Sequence, residues 1–158
     1  DVRPVSDRAQ AYLGKTNSPE QLRLLQKLSS QSQPMHENCR LSVNLPAYKE
    51  GANISKALEE YTIKQIDPKT GRPLDPTLFE INILLNRPND GVSYDRATEQ
   101  SVLAFKKAHP EYRINLVRQT FSFNGKPVMG EIYKTAADLA VYRNQQRPNE
   151  NQNKARFP

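Results

Sequence analysis

Across residues 41–144 the sequence alternates between two periods, and that alternation restricts the fold more than any other feature. Short apolar runs at residues 41–45, 79–85 and 113–121 read as strands. Helical spacing follows each of them. Ile54, Leu58, Tyr61 and Gln65-Ile66 mark the first helix, from about residue 53, and Tyr94, Ala97, Ser101, Ala104-Phe105 and Ala108 the second. Met129, Ile132-Tyr133, Ala136 and Leu139-Ala140 mark the third, to about residue 144. Ser93 is the expected cap of the second helix. The order β-α-β-α-β-α implies parallel strands joined by right-handed crossovers. The expected class is α/β: a Rossmann-like three-layer sandwich around a mostly parallel sheet, preceded by a short helical arm.

Residues 1–18 are polar, carry Pro4 and Gly14, and read as an arm. Ser18 at a cap and Pro19 at a first helical position then start a helix to about residue 29, with Leu22, Leu25 and Leu28 on its apolar face. The expected division is a polar arm over 1–39, an α/β domain over 40–146, and a polar basic tail over 147–158 read as disordered or a linker. Asp1 rather than Met stands first, so the chain is expected to be processed or a piece of a longer protein.

A length of 158 residues suits one domain with a real core, yet only 36% of the residues are hydrophobic and the mean hydropathy is −0.80. The net charge of +6 is unevenly placed. Arg143, Arg147, Lys154 and Arg156 face only Glu150 in the last stretch, which is either solvated or a contact for nucleic acid or anionic lipid. Arginine and aromatic residues do not interleave as in single-strand binders, so nucleic acid is not the expected partner. One cysteine, Cys39, and two histidines, His36 and His109, cannot make a Cys/His zinc site. The lone cysteine fits a reducing compartment, and the expected location is cytoplasmic, with membrane association only through regions outside this chain. No apolar run approaches the roughly 18 residues of a membrane helix.

Phosphate-cradling signatures of the GxxxxGK[ST] and GxGxxG kinds are absent, as is a Gly-x-Ser-x-Gly elbow. What remains is chemistry at strand ends, where open α/β sheets bind ligands. After the first strand, Pro46 and Ala47 lead into Tyr48, Glu50 and Gly51. Tyr48 either packs against a flat base or against the domain. Glu50 either accepts from ribose hydroxyls or complements a helix dipole. After the second strand, Asn86 offers a donor and an acceptor and Arg87 a guanidinium for a diphosphate, or both serve an ordinary loop. Lys126, Gly130 and Lys134 lie near the last helix start, where phosphate oxygens bind. Lys134 alternatively pairs with Asp138 one turn on.

These residues together resemble the glycosyltransferase family 2 domain, with its GT-A fold. That family opens with a strand, then Pro-x-Tyr/Phe-Asn-Glu and a helix. The matching run is Ser42-Val43-Asn44-Leu45-Pro46-Ala47-Tyr48-Lys49-Glu50, followed by Asn53-Ile54. Lys49 stands where the family has Asn, and Asn86 or Arg87 where a base-reading Asp is common. Gly130 to Asp138 loosely match the family's Lys-Gly-x-Ala-x-Asn. The resemblance spans residues 41–145. It implies that Pro46, Ala47, Tyr48 and Glu50 hold the base and ribose of a nucleotide-diphosphate sugar. Asn86 would read the base, and Arg87 and Lys134 would approach the diphosphate. The family's Asp-x-Asp metal motif occurs nowhere in this sequence. A divalent metal, Mn or Mg, is therefore expected only in a full-length enzyme, and none on this segment. The sheet edge is then expected to be covered by the remainder of the same enzyme or by another chain. The alternative is a non-catalytic ligand- or protein-binding module.

Overall fold

A computed structural model describes residues 5–88, 95–121 and 129–145. Its elements run α1 (Val5–Thr16), α2 (Pro19–Ser30), β1 (Leu41–Ala47), α3 (Asn53–Tyr61), β2 (Phe79–Pro88), α4 (Arg96–Ala108), β3 (Arg113–Phe121) and α5 (Met129–Asn144), with a single 3-10 turn (Pro76–Leu78) before β2. The three strands form one parallel sheet in the order β1-β2-β3. Leu41 pairs with Phe79 and Ala47 with Leu85, and Glu80 pairs with Arg113 through to Pro88 with Phe121. The chain is α/β, a Rossmann-like sandwich with helices on both faces of the sheet.

Successive side chains of a strand point to opposite faces, which assigns each helix to its layer. Ile81, Ile83 and Leu85 of β2 join Val43, Ile114 and Leu116 in one core with Ile54 and Leu58 of α3 and Val102 and Phe105 of α4. Leu84 of β2 and Val117 of β3 pack in the other core with Leu13 of α1, Leu25 and Leu28 of α2, and Ala136 and Leu139 of α5. The segment that reads as a polar arm thus carries two helices, and both supply core leucines.

Four differences from the sequence reading stand out. The first helix ends at Tyr61 and does not reach Gln65 and Ile66, because Gln65 and Asp67 bond Leu74 and Arg72 across the next turn and Ile66 bridges Pro73. Pro46 sits inside β1 rather than stopping it, which an edge strand tolerates because one side of its backbone needs no ladder partner. Asn86, Arg87 and Pro88 continue β2 instead of forming a loop, paired with Gln119, Thr120 and Phe121. Arg143, counted with the basic charges of the last stretch, lies within α5 as its periodicity expects but is buried rather than solvated, 2% exposed beside Glu80 at 0%.

That pair organises the polar end of the α5 layer. Arg143 Nε and Nη2 donate to the two Glu80 carboxylate oxygens at 2.6 and 2.7 Å, and Nη2 and Nη1 also reach the Gln33 carbonyl and the Ser29 hydroxyl. Ser42 and Asn82 donate to the same carboxylate, and Asn115 donates to Asn82. The outer edge of β3 is capped by a side chain: Gln31 donates to the Arg118 carbonyl and accepts from the Arg118 N–H, at 3.0 and 2.9 Å.

Candidate site at the carboxyl ends of the strands

The turn after β1 has unusual backbone geometry. Lys49 lies at φ 52° and Gly51 at φ 55°, the left-handed region that only glycine enters freely. A non-glycine residue stays there when its surroundings hold it. Asp95 does the holding. Its side chain caps α4 by accepting from the Thr98 N–H, accepts from the Thr98 hydroxyl at 2.6 Å, and accepts from the Lys49 N–H at 2.6 Å. The Thr98 hydroxyl in turn accepts from the Gly51 N–H at 2.8 Å. Ser93, the expected cap, lies outside the described residues, as do Tyr94, Lys126 and residues 147–158.

Tyr48 is half-buried, with the Lys49 ammonium 5.3 Å from its ring centroid, a cation–π distance. Glu50 is exposed, and its carbonyl accepts from the Asn53 N–H at the start of α3. Pro46 and Ala47 are the last residues of β1, and Ala47 is buried in the α3–α4 core.

At the ends of β2 and β3 a cavity of about 180 Å³ is lined by Leu85, Asn86, Arg87, Asp95, Arg118 and Thr120. Asn86 is 3% exposed; its amide donates to the Leu84 carbonyl and its Oδ1 has no partner among the described residues. Arg87 is exposed and donates through Nε to the Thr120 hydroxyl. Arg118, opposite Leu85 in register, forms an ion pair with Glu99 of α4. Asp95 belongs to this cavity and to the β1 turn, so it joins two of the predicted clusters into one region.

Lys134 lies elsewhere in its bonding. Its ammonium donates to Asp138 at 2.6 Å and to Asn17 at 2.9 Å, so the ion pair one turn along α5 is formed. Tyr12 of α1 donates to the other Asp138 oxygen at 2.8 Å. This cluster fastens α1 to α5 and shares no hydrogen bond with the turn or the cavity.

Sequence reasoning missed Asp95, Thr98, Arg118 and Thr120. A signal for the first two existed: Asp three residues before Thr at a helix start is a capping pattern. Arg118 had none, because it reaches the site only through the register of β3 against β2.

Among the described residues no three His, Cys, Asp or Glu side chains come together as ligands for a metal ion. No described helix is long and apolar enough to cross a membrane. Compared with protein-family models, curated proteins and solved structures, the chain matches none.

Proposed function

We propose that the carboxyl edge of this sheet binds a nucleotide-diphosphate sugar, as the donor-binding part of a glycosyltransferase. One observation carries the reading: Asp95 fastens the Tyr48–Gly51 turn to the cavity at the ends of β2 and β3. Ligands of open parallel sheets settle in that place. Tyr48 supplies a ring for the base, and Glu50 is an exposed acceptor for ribose hydroxyls. Asn86 supplies an amide oxygen, without a partner among the described residues, for a donor on the base edge, and Arg87 a guanidinium for the diphosphate. The sugar, the acceptor and the remainder of the enzyme that would cover the sheet edge belong to the same proposal.

The sequence without Asp-x-Asp favours a second reading, a binding module that holds such a ligand without reacting it. Calorimetry with UDP- and GDP-sugars, with and without manganese, tests both. Saturable one-to-one binding weakened by Tyr48→Ala supports a donor site, and sugar transfer or donor hydrolysis by the bound complex separates enzyme from module. If no nucleotide sugar binds under either condition, the donor-site reading fails.

A further inference from the structure

We infer that Arg87 and Arg118 form a two-guanidinium seat for a phosphoryl group, the diphosphate end of the nucleotide. This inference rests on the nucleotide-binding reading above and assigns the phosphate to the side chain that the sequence motifs passed over. The argument starts with charge. Two arginines and one aspartate line the cavity. The Asp95 carboxylate already accepts from three donors, the Lys49 N–H, the Thr98 N–H and the Thr98 hydroxyl. Glu99, 9% exposed at its side chain, holds Arg118 through Nη2 alone. Among the described residues, the Nε and Nη1 groups of Arg118 and both Nη groups of Arg87 have no acceptor, and both side chains are exposed.

Position follows from the sheet. Register sets Leu85 against Arg118 and Arg87 against Thr120, so alternation puts Arg87, Arg118 and Thr120 on one face at adjacent strand ends. The Thr120 hydroxyl orients Arg87 and Glu99 orients Arg118, which lowers the ordering cost of using their planar forks on an anion. Size then narrows the ligand. A cavity of about 180 Å³ is small beside ligand pockets of roughly 300–1,000 Å³, so it takes a phosphoryl group and leaves the nucleoside to the adjoining turn. Guanidinium forks match carboxylate and phosphate alike, and two of them together suit the higher charge and the larger number of oxygens of a phosphoryl group.

The test titrates inorganic pyrophosphate and, separately, UDP and GDP into the protein and its variants by calorimetry, with thermal melts to show that each variant is folded. Arg87→Gln and Arg118→Gln are each expected to weaken pyrophosphate about tenfold, and Arg118→Lys to restore only part of that loss. Glu99→Gln, which removes the competing carboxylate and leaves the guanidinium, is expected to tighten it. Absence of pyrophosphate binding, or binding indifferent to both arginines, overturns the seat. Nucleotide binding that survives both arginine variants unchanged also overturns it and leaves the nucleotide reading standing. Arginine-dependent pyrophosphate binding with UDP and GDP no tighter than pyrophosphate keeps the seat and removes the nucleoside from the reading above.

Discussion

Asp95 concentrates more of the local structure than any other residue near the strand ends. It caps α4 and fixes the strained Lys49 turn with the same carboxylate. Asp95→Ala removes both roles, and losing a cap alone costs about 0.5–2 kcal/mol. The expected loss is at the upper end, about 2 kcal/mol, because Lys49 then keeps its left-handed backbone without a partner. Asp95→Asn keeps a capping oxygen and should lose less, and urea denaturation of the two variants makes the comparison. Tyr12 gives a pH-dependent counterpart. Its hydrogen bond to the Asp138 carboxylate, then burial, raise its pKa above the usual 10.0. A phenol raised in the folded state adds stability in full below the unfolded value, and that stability disappears as pH climbs through the folded value. Stability should therefore decline above about pH 10. Tyr112, raised chiefly by burial, contributes a parallel decline. Tyr12→Phe should remove part of the alkaline slope, seen as a flatter dependence of melting temperature on pH.

The helices differ in how openly their sequences declare them. At α2, Ser18 accepts from the Gln21 N–H while the Gln21 side chain accepts from the Ser18 N–H, a complete capping box with Pro19 at the first position. Ser18→Ala should cost about 1 kcal/mol, measurable as a lower urea midpoint with an unchanged slope. Every part of that start is local, so it was legible, as were α5 and the interiors of the three strands. Helix α1 was not. Its buried apolar residues are Ala9 and Leu13, set among polar residues with Gly14 beside them, and it is held from outside by the Tyr12–Asp138–Lys134–Asn17 cluster. Contacts spanning more than a hundred residues leave no periodic trace. The site divides in the same way: the Tyr48–Glu50 turn and Asn86–Arg87 were visible as strand ends, whereas Arg118 needed the β2–β3 register.

At the scale of the whole molecule, the two faces of the sheet are unlike. The α3–α4 face is apolar as far as Leu85 and Leu116, where burial alone can hold it, and turns polar at the strand ends with Arg87, Arg118 and Thr120. The α5 face is apolar only at Leu84 and Val117; toward the start of the strands it presents Ser42, Glu80, Asn82 and Asn115, all buried. A carboxylate at 0% exposure is tolerable only when paired and hydrogen-bonded, and Arg143 supplies the pair from the last turn of α5. The same guanidinium reaches Ser29 and the Gln33 carbonyl, so one residue locks α5, the end of α2 and the following segment onto β2. Arg143→Met leaves Glu80 buried without its counter-charge and should cost about 3–5 kcal/mol. The double variant Glu80→Leu with Arg143→Met removes the stranded charge and should recover part of that loss. Recovery should stop short of the parent because Ser42 and Asn82 then lose their shared acceptor, each a buried polar group left with fewer partners. Denaturant unfolding of parent, single and double variants closes the comparison. A single variant that loses under about 1 kcal/mol would mean that water reaches Glu80 and that α5 is held by Leu139 and Ala136 alone.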